Sequence, residues 1–405
     1  MNQSLGAITA APPPPLAQFL LRRLARQWSA GSMTIDLPRA ESSIMLGDPR
    51  SPPAAHWSLG RWRALRRVLF RGDLGLADGY VAGDWDSRDL AGLLTAVAVN
   101  YDALSTERRS LAGALAQRLR HARNRNSRSG SRRNILAHYD LGNAFYEAWL
   151  DPSMTYSSAL LADPDEPLEQ GQRRKYQRLA RLADVRPGCE VLEIGCGWGG
   201  FAQYAAGELG AKVTAITLSP AQQEYAQARL FRAGLAERVE VQLRDYRDIR
   251  GRFDSIVSIE MFEAVGEAYW PRYFQTLTDS LKPSGAAALQ VITLREDLFD
   301  DYRRRPDFIQ LEVFPGGMLP TPSRLLGLAT EAGLRVSPQG LSRLGQSYAV
   351  TLRRWREAFE AAWPDIRLMG FDERFHRLWR YYLAYCEAGF ASGRTDVVHL
   401  GLRKL

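Results

Sequence analysis

The run Val191-Leu192-Glu193-Ile194-Gly195-Cys196-Gly197-Trp198-Gly199-Gly200 constrains this chain more than any other stretch. A short apolar strand closes on a carboxylate, a glycine turn follows, and the next residues open a helix. Glycines carry no Cβ, so a ligand can lie directly against such a turn. The order E-x-G-x-G-x-G is not the G-x-G-x-x-G fingerprint that seats a pyrophosphate on a helix N-terminus. It suits a nucleoside with a zwitterionic tail, which points to the methyl donor S-adenosylmethionine (SAM).

The same rhythm continues downstream. Apolar runs predict strands over 189–193, 212–217, 239–244, 254–259 and 286–293, and helical periodicity predicts helices over 200–209, 220–234 and 269–281. Strictly alternating elements imply an α/β fold, a mostly parallel sheet covered on both faces. A helix over 371–391 and a strand over 396–403 close the chain, and an Asp/Arg/Phe/Gly-rich insertion over 294–321 reads as a lid. At 405 residues the chain has room for two or three domains. We read 1–104 as a small N-terminal domain, 105–133 as a basic helix or linker, and 134–405 as the catalytic domain. The Trp- and Gly-containing corner Asp78 to Asp86 reads as ordered.

The net charge of +8 is concentrated in 105–133, which holds nine arginines against Glu107. Leu111, Leu115 and Leu119 recur there every four residues beside Arg108, Arg118, Arg120 and Arg123. This pattern suits either a solvated linker or a surface drawn to anionic lipid headgroups, worth about 1 kcal/mol per basic residue. No aromatic residue interleaves these arginines to stack bases, so nucleic acid is not an expected partner. The longest apolar stretch, Leu90 to Val99, is about half the ~20 residues that span a bilayer. The N-terminus lacks a basic leader and is interrupted by Pro12 to Pro15, so no signal peptide is expected. Cys189, Cys196 and Cys386 show no metal-ligand spacing, and three cysteines fit a reducing cytosol.

Ligands in such sheets sit at the carboxyl ends of the strands. The second strand ends at Thr217-Leu218-Ser219-Pro220 without an acid for ribose hydroxyls, leaving Gln222 or a serine for that task. Asp245, after the third strand, could meet the adenine edge or simply cap a turn.

Further motifs share the chain: His138-Tyr139-Asp140-Leu141-Gly142-Asn143, Asp151-Pro152, and Met154-Thr155-Tyr156-Ser157-Ser158-Ala159. Met261-Phe262-Glu263-Ala264-Val265-Gly266, Phe314-Pro315-Gly316-Gly317-Met318-Leu319-Pro320, and Tyr348 ahead of Thr351-Leu352 follow. Together with the glycine loop they resemble the cyclopropane-fatty-acyl-phospholipid synthases, which include mycolic acid cyclopropane synthases and related lipid methyltransferases. The resemblance covers 134–405, and the corner Gly79-Tyr80 to Trp85-Asp86 extends it into the small N-terminal domain of the full-length enzymes.

The resemblance implies a Rossmann-like class I SAM-dependent methyltransferase fold with a mostly parallel seven-stranded sheet. It implies methyl transfer to the cis double bond of unsaturated phospholipid acyl chains. The resulting carbocation is shielded by an aromatic, apolar pocket and loses a proton as a cyclopropane ring closes. In the family the base is bound bicarbonate. Carried over by position, its ligands are Glu263, Tyr348 and the backbone of Ile292, with Ser158 where the family has Cys and Gln290 where it has His. Serine and glutamine still donate hydrogen bonds but cannot carry charge as imidazole does. An alkene methyltransferase giving a methylene or methyl branch therefore stays open, as does a degenerate lipid-binding protein. Glu260 lies outside the matched set.

The implied donor site comprises Tyr156, Ser157, Glu193, Gly195, Cys196, Gly197, Trp198, Gly199, Thr217, Leu218, Ser219, Gln222, Arg244 and Asp245. Cys386 matches a cysteine once favoured as the nucleophile, although a lone helical cysteine is usually a small core residue. The family also implies a peripheral position on the cytoplasmic face of a phospholipid bilayer, and a homodimer.

Overall fold

Apolar runs too continuous for half-exposed strands build the centre of a seven-stranded sheet. The computed structural model describes residues 13–38, 43–104 and 141–404. The basic segment 105–133 and His138-Tyr139-Asp140 lie outside them. The described residues fall into two units: 141–371 with 393–404, and the preceding residues with Asp372–Ser392.

In the larger unit the strands are β5 (Glu190–Ile194), β6 (Lys212–Thr217), β7 (Val239–Leu243), β8 (Phe253–Ile259), β9 (Leu281–Leu294), β10 (Leu334–Arg343) and β11 (Thr395–Lys404). Their order is β10-β11-β9-β8-β5-β6-β7. All pairs from β9 to β7 are parallel, and β11 runs antiparallel to both β9 and β10. This is the mostly parallel α/β sheet expected. Val191, Leu192 and Ile194 of β5 are buried between two apolar clusters, one on each face. Burial of each such side chain contributes about 1.5–3 kcal/mol. The helix Pro220–Arg232 starts at Ser219, whose hydroxyl accepts from the Gln222 amide, with Pro220 in the first turn.

β10 was not anticipated, because Pro338 and Gly340 interrupt its run. It lies at the sheet edge, and its pairing with β11 shifts register between Val336 and Leu341, where such residues are tolerated. The helices Leu168–Leu182, Pro322–Glu331 and Gly345–Leu368 were also missed. In the insertion 294–321, Phe299, Phe308, Leu311, Val313 and Met318 are buried.

The smaller unit holds β1 (Ser32–Asp36), β2 (Ser43–Gly47), β3 (Ala54–Leu59) and β4 (Trp85–Asp86) in the order β2-β1-β3-β4. The helix Glu373–Ala391, which sequence alone assigned to the catalytic domain, packs on the helices Asp73–Val81 and Leu90–Val99 of this unit. Arg377 explains the attachment. Its guanidinium stacks on Tyr80 at 4.0 Å, pairs with Asp86 at 2.9 Å, and donates to the carbonyls of Tyr80 and Trp85. The corner Asp78–Asp86 is thus ordered from within its own unit.

Candidate active site

The glycine turn after β5 adopts the backbone its residues demand. Gly195 has φ 84°, and a Cβ there would lie 2.9 Å from the Met261 side chain. Gly197 has φ 52° and opens on empty space, so the turn forms a cradle with room beside its backbone. Glu193 at the end of β5 is buried, and its Oε2 has no hydrogen-bond partner among the described residues. Burial pushes its pKa up to about 8. A buried, half-satisfied carboxyl beside an open glycine turn fits the α-ammonium of SAM.

The remaining donor-side residues are tied into the same rim. Trp198 Nε1 donates to Asn143 Oδ1 at 2.9 Å. The Thr217 hydroxyl bonds Gln222 Oε1 at 2.9 Å, Leu218 is half-buried, and the Arg244 amide donates to the Thr217 carbonyl. Cys196 is a buried thiol, pushed up by burial. Asp245 caps the following turn and holds Arg247 bidentately at 2.8 and 2.6 Å. Three of its about four lone-pair positions are used in this way.

A chain of aromatic rings connects this rim with the far side. Tyr156 lies 5.4 Å from Tyr146 and 5.2 Å from Trp355, while Tyr146 lies 4.9 Å from Trp198. Trp355 in turn meets Tyr348 edge-on at 6.1 Å. Tyr348, Trp355 and Phe359 lie on the buried face of the helix Gly345–Leu368. A cation formed among these ring faces is attracted by their quadrupoles and kept from water.

On the far side the structure departs from expectation. Ser158, Gln290 and Tyr348 do converge, but on Glu260. The Ser158 amide donates to Glu260 Oε1 at 2.8 Å, Gln290 Nε2 to the same oxygen at 2.6 Å, and the Tyr348 hydroxyl to Oε2 at 2.6 Å. The Ser158 hydroxyl turns away to the Ala159 carbonyl, so its amide, not its side chain, is the ligand. Glu260 follows β8 with φ 47°, a left-handed conformation costly for a residue with a Cβ. Such strain collects at functional sites. The signal was available in sequence only as an acid at a strand's carboxyl end.

Glu263, in the short turn Phe262–Ala264, accepts the Ile292 amide, and its Oε2 has no partner among the described residues. Burial and the neighbouring Glu260 charge push Glu263 up to about 8. Burial also raises Glu260, opposed by the charge of Lys175 and by its three donors. Three donors and the Lys175 charge favour the ionised form at Glu260, whereas Glu263 has the Ile292 amide alone among the described residues. Lys175 is fully buried, donates to the Ser157 hydroxyl at 2.7 Å, and is lowered to about 7 by burial. Sequence reasoning passed over both Lys175 and Trp355.

Most of the donors expected for bicarbonate are engaged within the protein: Gln290 and Tyr348 by Glu260, the Ile292 amide by Glu263, and the Ser158 hydroxyl by the Ala159 carbonyl. A bound bicarbonate would have to displace Glu260 from these partners. Cys386 lies on the helix Glu373–Ala391, in the smaller unit.

The family described as mycolic acid cyclopropane synthetase matches residues 126–400. The chain is similar to tuberculostearic acid methyltransferase of Mycobacterium tuberculosis, 39% identical over 404 residues that cover 96% of this chain and 93% of that protein. It is also similar to cyclopropane-fatty-acyl-phospholipid synthase of Escherichia coli, 36% identical over 338 residues, 80% of this chain and 81% of that one. The solved structure of a mycolic acid cyclopropane synthase complexed with SAH and CTAB superposes with a TM-score of 0.63 at 28% identity, covering 67% of this chain and 98% of that one.

Proposed function

This chain belongs to the mycolic acid cyclopropane synthetase family and is a SAM-dependent lipid methyltransferase; on that premise we propose that it methylates the double bond of unsaturated phospholipid acyl chains and leaves a methylene branch. The observation that carries this reading is the Glu260 carboxylate, held where the resemblance expects a diffusible base. SAM supplies an electrophilic methyl carbon, and Glu193 with the glycine turn holds its tail. The Tyr156–Trp355–Tyr348 ring wall stabilises the acyl cation and excludes water. Glu260 then takes a proton: a C–H bond breaks, its electron pair forms the new C=C bond, and the carboxyl becomes neutral.

Ring closure demands that this proton leave the new methyl before a 1,2-hydride shift moves the charge to the branched carbon. A free anion can follow the methyl. Glu260 is tethered in a strained backbone and held by three donors, so the hydride shift has time to occur. Similarity to a tuberculostearic acid methyltransferase over nearly the whole chain supports the uncyclised product. Ring formation is the second reading, favoured by the similarity to the Escherichia coli cyclopropane synthase.

The setting in this proposal is the cytoplasmic face of a phospholipid bilayer. Among the described residues no helix is long and apolar enough to cross a membrane. In the smaller unit Phe19 and Phe70 are 61% and 68% exposed on the helices Pro15–Gln27 and Arg63–Arg71, which also carry exposed Arg22, Arg26, Arg66 and Arg71. Apolar side chains among arginines suit an anionic lipid surface.

The test is purified enzyme with SAM and monounsaturated phospholipid vesicles, followed by proton NMR of the extracted lipid. Vinyl signals of an exocyclic methylene are expected. Strongly shielded ring-methylene signals would establish the second reading. No alkylated lipid at all would leave a lipid-binding protein. Intact mass does not separate the two products, since both add one CH₂.

A further inference from the structure

The Gln290 side chain has two ends, and the residues around them fix which is which. Its Nε2 lies 2.6 Å from Glu260 Oε1 and 3.2 Å from the Ser158 carbonyl, both of which only accept when Glu260 is ionised. The amide must therefore turn its NH₂ to that side and its oxygen to the other. On the other side, 2.7 Å from Oε1, is Nε2 of His399. β9 and β11 pair in a register that sets His399 directly against Gln290. Both side chains are buried, with exposures of 0% and 1%. Burial, reinforced by the charges of Arg178 and Lys175, lowers His399 to about 3, so the imidazole is neutral and carries one N–H. Facing an acceptor, that hydrogen sits on Nε2. Nδ1 is then a buried acceptor with no partner among the described residues, a cost to the fold that an apolar side chain would avoid.

We propose that His399 is a positioning residue for the Glu260 base, acting through Gln290: its N–H anchors the amide oxygen and so fixes the reach and angle at which Gln290 donates to the carboxylate. This rests on Glu260 taking the proton from the acyl cation. Without the imidazole N–H, the Gln290 oxygen is left buried without a partner, while its NH₂ still faces Glu260 and the Ser158 carbonyl. The side chain then shifts in search of another donor for that oxygen, and its hydrogen bond to the carboxylate lengthens or bends. The base is pushed out of place while donor binding is untouched.

The experiment compares His399→Leu, His399→Asn and His399→Gln with wild type and with Glu260→Gln, using the full chain, SAM and monounsaturated vesicles. Rates are normalised to sites that bind SAM by calorimetry. His399→Leu is expected to lower kcat about tenfold, the scale of one misdirected hydrogen bond to a charged group, with KM for SAM unchanged. By-products in which water has captured the longer-lived cation should rise. Asparagine is too short to reach Gln290 and should behave like leucine; glutamine can donate across the same strand pair and should restore most of the rate. If leucine prevents folding, the asparagine–glutamine comparison decides. Wild-type turnover per site in the leucine or asparagine variant overturns the proposal, as does equal loss in asparagine and glutamine. Turnover retained by Glu260→Gln sinks the base reading itself, a different failure from an inactive Glu260→Gln beside a fully active His399→Leu.

Discussion

Replacing Glu260 by glutamine isolates the proton-accepting role from everything else the side chain does. The amide oxygen keeps the position of Oε1, so it still accepts from the Ser158 amide at 2.8 Å and from Gln290 at 2.6 Å. The new NH₂ replaces Oε2, 2.6 Å from the Tyr348 hydroxyl, which can rotate to accept. The Tyr348 hydroxyl hydrogen loses Oε2 as its acceptor, a cost offset by the disappearance of a partly buried charge. Thermal stability should therefore stay within about 1 kcal/mol of wild type. The carboxylate base is gone, however, and general-base catalysis contributes about 10²–10⁴ in rate, or about 3–5 kcal/mol of barrier. The assay is turnover on monounsaturated phospholipid vesicles, with SAM affinity by calorimetry as the control for an intact donor site. Loss of turnover with SAM affinity within about threefold is expected, since the removed group is not the basic or polar handle for the donor tail. Normal turnover in Glu260→Gln, with activity abolished in Glu263→Gln, would refute the reasoning and move the proton to Glu263.

Three further outcomes follow from the same geometry. Turnover in degassed, bicarbonate-free buffer should equal that with added bicarbonate, because the donors that would hold the anion are engaged by Glu260; strict dependence on bicarbonate would contradict this. Glu193, raised to about 8, keeps its proton at neutral pH in the free protein and ionises when an ammonium arrives. SAM binding should then release about one proton and tighten as pH rises toward 8, seen by calorimetry in buffers of different ionisation enthalpy and lost in Glu193→Gln. Neutralising the arginines between 118 and 133 should weaken binding to anionic vesicles and flatten its salt dependence; binding indifferent to charge would return that stretch to a linker.

The donor side was legible in the chain because its chemistry is local. The strand Glu190–Ile194, its terminal carboxylate and the glycines that follow are consecutive residues, and glycine adopts the open, positive-φ turn at Gly197 without the cost a Cβ would add. The base side was legible only in part. Ser158, Gln290 and Tyr348 were marked as partners of one anion, and they are, but the anion is Glu260. Its place was hidden because a left-handed turn after β8 aims a carboxyl at residues 30 to 102 positions away in the chain. Asp245, read from sequence as an adenine contact or a turn cap, does cap its turn and hold Arg247. The helix Glu373–Ala391 was read correctly as a helix and assigned to the wrong unit, since periodicity records a buried face but not what buries it.

The sequence by itself determined the fold class, the methyl-donor turn and the family, because each is written in short-range patterns that backbone sterics and hydrophobic periodicity enforce. Tertiary structure alone decided which carboxyl group gathers the donors, which amide end faces it, and that His399 stands behind Gln290. Those outcomes depend on strand register, burial and the mutual electrostatics of groups far apart in the chain, and no local pattern encodes them.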